Sequence, residues 1–360
     1  MTTAFAWKLE KGEDRDGAVR RLLREALEKG VVDAVLVPTE GPGRTGVVNM
    51  FTTSPADVDD ALPFARAMPQ FGPQDLVRLT EPGGDPIRIA ALLKPCESRA
   101  VVELAKLKQI EMEHVLLLAP DCEGTVEMKE YSRVAEGVAV PRRLACDICR
   151  SPVAMDPVDV GLGTLGVDEG SVMLLANTEE GQAFAEAVGA KATELTDSRK
   201  GAVKEALEDG ERAWDKQEER SRERYSDVSA FLADLSPCIK CMNCQNVCPV
   251  CYCAECLLET DAFNPTAGSL ADKARRRGTL RMPVETVQFH LVRMAHVMTA
   301  CVMCGQCESA CPSDVPLVEM YAAINRRVQD LFDYMSGRDA EEPPPFTSFA
   351  ETEGFQVVGK

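Results

Sequence analysis

Two features divide this chain into unlike parts. Residues Ile87–Gly124 read as apolar run, turn, helix, apolar run and turn, which is a β-α-β unit. Strands joined by a crossover helix lie parallel, so this part predicts an α/β domain. Farther on, the pattern C-x2-C-x2-C-x3-C-P occurs twice, as CIKCMNCQNVCP (Cys238–Pro249) and CVMCGQCESACP (Cys301–Pro312). That spacing wraps [4Fe–4S] clusters in bacterial-type ferredoxins. The predicted fold class is therefore an α/β domain over residues 1–199, a charged helical linker over 200–235, an α+β dicluster ferredoxin domain over 236–335, and a loop-like tail over 336–360.

In each copy, three cysteines on a tight loop reach one cluster. The fourth is expected to start a helix that points away, and so to reach the other cluster. This assigns cluster A to Cys238, Cys241, Cys244 and Cys311, and cluster B to Cys301, Cys304, Cys307 and Cys248. Pro249 and Pro312 end each loop, since proline fixes φ and removes an N–H. A pair of four-cysteine zinc sites is the competing reading. Zinc sites take their cysteines in two separated pairs, which these quartets do not.

Bulk properties narrow the class. A chain of 360 residues with 45% apolar content has enough material for two or three domains with real cores. A net charge of −18 argues against nucleic acid and against an anionic membrane surface. The start, MTTAFAWKLEKGEDRDG, has no apolar core of the secretory type, and no apolar run is long enough to span a bilayer. The 15 cysteines follow metal-site spacing, and thiolate ligands need a reducing compartment. A cytoplasmic protein of anaerobic metabolism is expected.

Taken in order, Asp16–Gly30 reads as a helix with Asp16 as its cap, and Val31–Pro38 as a buried strand. Gly41–Gly46 is a loop, read as a plain turn because no helix start follows. A helix is expected over Pro55–Met68, a strand over Ile87–Leu93, a helix over Glu97–Lys108 and a strand over His114–Ala119. Cys96 and Cys122 each follow a strand, on the sheet edge where α/β domains bind ligands. With the pair Cys146 and Cys149 they form a possible third [4Fe–4S] site. Spacing alone leaves open whether these are cluster ligands or separate buried thiols. GLGTLG (Gly161–Gly166) matches a dinucleotide fingerprint but lacks its context, since no strand is read before it and SVMLLAN after it reads as a strand, not a helix. It is read as a loop able to touch a cofactor. Ser171–Ala190 reads as strand then helix, and Lys200–Leu235 as exposed connecting helix.

Cys251, Cys253 and Cys256 extend the first motif and cannot close a four-thiolate site alone. Packing around cluster B is preferred over alternate ligation or a fourth cluster completed from elsewhere. KARRR, within Asn264–Arg281, is a basic patch on an acidic chain, read as solvated by default. Gln288–Ala300 reads as helix, bringing His290 and His296 beside the second motif. No residue is singled out as an acid–base catalyst.

Several stretches together resemble a known family. They are KPC (Lys94–Cys96) with ELAKLKQI, DCEGT, RRLACDIC, CIKCMNCQNVCPVCYCAEC and CVMCGQCESACPSDVPL. The chain resembles the β subunits of coenzyme F420-dependent hydrogenases and formate dehydrogenases over nearly its whole length. The resemblance implies FAD in the α/β domain, contacted by Gly17, Ala18, Lys94, Arg142, Arg143, Gly161 and Gly163. It also implies that Cys96, Cys122, Cys146 and Cys149 hold the cluster nearest the flavin. Electrons would pass between a soluble hydride coenzyme (F420 or NAD(P)), FAD and the clusters, to a catalytic dehydrogenase, hydrogenase or heterodisulfide-reductase-type partner. The alternative is an iron–sulfur relay subunit without hydride transfer of its own.

Overall fold

The computed structural model describes residues 2–44, 46–69, 71–81, 87–154, 158–260, 266–279 and 285–347. Among them eight strands form one sheet: β1 (Thr3–Lys8), β2 (Ala34–Glu40), β3 (Val47–Thr52), β4 (Ile89–Leu92), β5 (Val115–Pro120), β6 (Val160–Gly163), β7 (Ser171–Ala176) and β8 (Lys191–Thr193). Their order is β3-β2-β4-β5-β6-β7-β1-β8. The centre, β2-β4-β5-β6, is parallel, as the β-α-β reading predicts, and antiparallel pairs flank it on both sides.

Alternation along the strands builds two cores. On one face Val35, Val37, Leu92, Leu118 and Val160 meet Val19, Leu22 and Leu23 of helix α1 (Arg15–Glu28). On the other, Ala34, Leu36, Ile89 and Leu117 meet Leu76 of α2 (Gly72–Leu79) and Val101 and Leu104 of α3 (Pro95–Lys106). Covered on both faces, the parallel strands have to be apolar throughout, which is why β2, β4 and β5 read so clearly as strands. The long β5–β6 crossover carries the short helices α4 (Tyr131–Ala135) and α5 (Leu144–Asp147). Helix α6 (Glu179–Val188) backs β7.

The linker is two helices, α7 (Asp197–Arg224) and α8 (Val228–Leu235). Then follow α9 (Asn243–Asn246), α10 (Ala267–Arg277), α11 (Glu285–Val297), α12 (Gln306–Ser309), α13 (Leu317–Ala322) and α14 (Asn325–Asp330). Among the described residues no strand follows Thr193, so the dicluster part is helical where an α+β fold was expected. Its core is Phe289, Met294, Val297, Leu317 and Tyr321, packed with the cysteines themselves.

Four local expectations need correction. Asp14, not Asp16, caps α1, accepting from Gly17 N at 2.7 Å, while Asp16 accepts from Phe64 N at 3.1 Å. Residues Pro55–Met68 hold only a short 3-10 turn (Asp57–Asp60), because Pro63 falls inside the supposed helix and would remove a ladder hydrogen bond. The first glycines of GLGTLG lie in β6, so a strand does lead into it. The helical turns α9 and α12 precede the fourth cysteines Cys248 and Cys311 and do not start from them. Parts of the Asn264–Arg281 insert and of the tail lie outside the described residues.

Candidate metal and cofactor sites

The two cysteine motifs fold alike. Lys240 and Met303, and likewise Met242 and Gly305, occupy matching places in the two copies and all have positive φ, between 55° and 74°. Three of the four are not glycine, so the loops hold strained backbone to turn the cysteines inward. At Gly305 a side chain would also crowd Ala145 of the crossover, which fixes glycine there.

The thiols gather as the spacing predicts. Cys244 stands within electrostatic reach of Cys238, Cys311 and Cys241. Cys307 is in the same relation to Cys304, Cys248 and Cys301. Each quartet thus takes its fourth member from the other copy. Burial, with neighbouring thiols adding to it, pushes Cys244 up to about 11 and Cys301 up to about 12. Such sites accept sulfur anions only with compensation, and donors are present: Lys240 N to Cys238 Sγ and Val315 N to Cys311 Sγ, both 3.4 Å. His290 Nε2 also lies 3.4 Å from Cys238 Sγ. Cys241 is exposed, so the first quartet reaches the surface, whereas in the second Cys301, Cys304 and Cys307 are half-buried and Cys248 is buried.

The third quartet also forms. Cys149 lies in reach of Cys122 and Cys146, and Cys96 in reach of Cys122 and Cys149. One cavity of about 70 Å³ is lined by these four cysteines together with Cys301 and Cys304. Cys96 and Cys304 feel each other across it. Burial raises Cys96, Cys122 and Cys149. Burial works on Cys146 too, but Arg143 and hydrogen bonds from Thr125 outweigh it and leave that thiol lowered. Among the described residues no three His, Cys, Asp or Glu side chains converge tightly enough to hold a single metal ion. Thiols that ligate the corners of a cube have no such common point, so the donor set suits clusters better than zinc.

Of the other cysteines, Cys251 has its thiol against Cys248 and is raised by that contact and by burial, while Cys248 is lowered. Cys253 is exposed and Cys256 partly buried. His296, unlike His290, faces outward.

A second, larger cavity of about 500 Å³ opens at the C-terminal edge of the parallel strands. It shares Cys122 and Gly124 with the first, and Lys94, Asp121 and Thr164 reach it from the ends of β4, β5 and β6. The start of α1 contributes Asp14, Arg15 and Asp16, and Phe64 and Arg66 line it from the loop after β3. Arg15 Nε is buried without a hydrogen-bond partner there. An unpaired guanidinium N–H at the first turn of a 14-residue helix suits an anionic group such as a pyrophosphate.

The residues named from the resemblance divide. Lys94 lines the large cavity, its Nζ held by Ala65 O at 2.7 Å. Gly17 is beside it, with its N–H taken by Asp14. Arg142 and Arg143 line the cysteine cavity instead. Arg143 is buried against Cys146, Met68 and Ser309. Ala18 is wholly in the core, its carbonyl accepting from Trp7 Nε1. Gly161 and Gly163 pack inside the sheet against Ala154, Leu175 and Met173 and line neither cavity. Arg15 and Arg66 carry no signal in the sequence reading, where Asp16 is only a cap and Thr164 only part of the Gly161–Gly166 loop.

Comparisons with known proteins find similarity in both parts of the chain. Residues 1–62 match the model of the coenzyme F420 hydrogenase/dehydrogenase beta subunit N-terminal family, and residues 234–315 match that of the 4Fe-4S dicluster domain. The chain is 26% identical to the beta subunit of the F420-dependent formate dehydrogenase of Methanocaldococcus jannaschii, covering 92% of this chain and 94% of the relative. It is 26% identical to the beta subunit of F420-dependent formate dehydrogenase 1 of Methanococcus maripaludis, over 93% of this chain and 94% of the relative. A chain in a solved F420-reducing [NiFe] hydrogenase complex from Methanosarcina barkeri superposes with a TM-score of 0.46 and 17% identity, covering 64% of this chain and 94% of that one. Among the described residues no helix is long and apolar enough to cross a membrane. In its N-terminal segment, its dicluster segment and its full-length relatives alike, the chain is similar to the beta subunits of coenzyme F420-dependent hydrogenases and dehydrogenases.

Proposed function

We propose that this chain is the electron-transfer subunit of an F420-linked dehydrogenase or hydrogenase, holding FAD in the large cavity and a [4Fe–4S] cluster in each cysteine quartet. The observation that carries the reading is continuity. Cys122 belongs to the wall of both cavities, and Cys304 to the wall of the cysteine cavity. The order is therefore large cavity, third quartet, second quartet, first quartet, surface.

FAD exchanges a hydride with a soluble coenzyme and single electrons with clusters. The chain's own residues hold and enclose these groups. Arg15, Arg66 and Lys94 offer positive charge in the large cavity, and Asp121 is locked by Arg199 and by Thr164 N and Leu165 N so that the loop before Cys122 cannot drift. Arg143 places a positive charge beside Cys146, which favours the thiolate. Reduced F420 is the favoured hydride donor because the family and the relatives named above carry that coenzyme in their names. A catalytic partner takes the electrons where Cys241 reaches the surface.

The test is an anaerobic titration of the reconstituted full chain with reduced F420, NADH and NADPH in turn, following flavin and cluster absorbance. Bleaching by reduced F420 is expected. Bleaching only by NADH or NADPH would replace the coenzyme, and no bleaching with FAD bound would reduce the chain to a relay.

A further inference from the structure

Arg293 is a cation enclosed in the dicluster core. It lies on α11, is 1% exposed, and its guanidinium stands over the Tyr321 ring, 5.5 Å from the centroid. Nη1 donates to Tyr321 Oη at 2.7 Å and Nη2 to the Cys244 carbonyl at 2.6 Å, while Nε has no hydrogen-bond partner. The groups that act on it most strongly are Tyr321, Cys248, Cys244 and Cys307, none of them a carboxylate. A carbonyl and a phenol are neutral dipoles. A buried guanidinium without a counter-charge is costly, and arginine does not escape by losing its proton. The anions available are the thiolates, and they belong to both quartets: Cys244 to the first, Cys248 and Cys307 to the second.

We propose that Arg293 is a fixed positive charge shared by the two clusters of the dicluster part, stabilising their reduced forms and so setting both reduction potentials. The proposal rests on the reading of the two quartets as cluster ligands. A thiolate-ligated [4Fe–4S] cluster is anionic, and reduction adds one electron and one further negative charge without making or breaking a bond. Net charge and local hydrogen bonds are among the determinants of such potentials. Arg293 acts on both because it stands between the copies, tied to the first motif through Cys244 and to the helix behind the second through Tyr321 on α13. It is a positioning and tuning residue, since it touches no reacting group of a substrate.

The experiment is a redox titration of the reconstituted full chain with dithionite, followed by electron paramagnetic resonance, on wild type, Arg293→Met, Arg293→Gln and Arg293→Lys. Both neutral variants should become harder to reduce at two clusters, by at least about tenfold in the equilibrium constant, or ~59 mV for a one-electron couple. Arg293→Lys should stay close to wild type, and the cluster of Cys96, Cys122, Cys146 and Cys149 should not move in any variant. Neutral variants that carry both clusters at wild-type potentials would overturn the proposal. If neither neutral variant assembles the two clusters and Arg293→Lys does, the clusters need the charge, which supports it; if Arg293→Lys also fails, shape and not charge is what matters, and the proposal falls. Absence of the clusters from wild-type protein would instead refute the functional reading beneath it.

Discussion

Arg99 on α3 donates two hydrogen bonds to the carbonyl of Ser336, at 2.7 and 3.0 Å. Ser336 Oγ in turn donates to the carbonyl of Cys301 at 3.0 Å. The helix that begins with Cys96 is therefore bolted, through one residue of the C-terminal segment, to the loop that carries Cys301 and Cys304. Arg99→Met should cost about 2–3 kcal/mol, the range for hydrogen bonds from a charged donor, and should loosen this junction. Urea unfolding of the loaded protein measures the loss. Slower electron passage from flavin to the dicluster clusters, with both still present, would locate it at the junction.

The same segment is held again by Glu103, which accepts from Tyr334 Oη at 2.5 Å and Gly337 N at 2.6 Å and pairs with Lys106 at 3.2 Å. Both charged side chains are almost wholly enclosed, at 1% and 2% exposure. Glu103→Ala leaves the enclosed Lys106 ammonium only the longer pairing with Glu342 at 4.0 Å, and about 3 kcal/mol of stability should be lost. Tyr334→Phe removes a hydroxyl that donates to Glu103 and accepts from Lys106 Nζ at 2.9 Å, both charged partners remain, and it should cost less, about 1–2 kcal/mol. A thermal melt in which the two variants shift equally would contradict this ranking.

Crossed ligation makes a sharp prediction. Cys311→Ser should remove the cluster whose other ligands are Cys238, Cys241 and Cys244, although Cys311 lies in the second motif. Cys248→Ser should remove the cluster of Cys301, Cys304 and Cys307. Resonance spectra of the two variants, compared with Cys241→Ser and Cys304→Ser, check the pairing: Cys311→Ser should resemble Cys241→Ser and not Cys304→Ser.

Helix α7 owes its closeness to the third quartet to a missing side chain. A Cβ at Gly210 would run into the carbonyl oxygen of Cys149. Alanine there should favour the helix itself by about 1 kcal/mol. It should nonetheless push α7 off the crossover and lower the iron content by one cluster, with helical circular dichroism unchanged. Full cluster loading in Gly210→Ala would show that the crossover yields freely.

Asp121 and Arg199 form an enclosed ion pair, with Arg199 Nη2 to Asp121 Oδ1 at 2.9 Å and side-chain exposures of 3% and 0% for the arginine and aspartate. Asp121→Ala should destabilise the chain by about 3–5 kcal/mol by stranding Arg199. Because Asp121 lines the large cavity, it should also weaken FAD retention on gel filtration.

What could be read in advance follows from how strongly each segment is constrained by itself. β2, β4, β5 and β7 are apolar on both faces and stood out. β1 (TAFAWK) is short and amphipathic beside a charged stretch, and β8 is exposed at every residue, so neither carries a burial signal. β3 becomes a strand by pairing with β2, which composition does not reveal. The gathering of the cysteines into quartets was legible because their spacing is a local property, even where the fourth thiol comes from afar. The large cavity was not, because its wall is assembled from strand ends and a helix start distant in sequence. Glycine identity misled at Gly161 and Gly163, which pack in a sheet, and was overlooked at Gly210, where it permits contact.

The proposed exchange of fourth ligands between Cys248 and Cys311 would also set an order of manufacture. On a chain emerging from the ribosome, the quartet of Cys96, Cys122, Cys146 and Cys149 is complete before α7 is made. Neither dicluster quartet can close until the second motif has appeared: one waits for Cys301, Cys304 and Cys307, the other for Cys311. On the proposed reading, the N-terminal site can therefore receive its iron and sulfide during translation, whereas the other two wait until near its end.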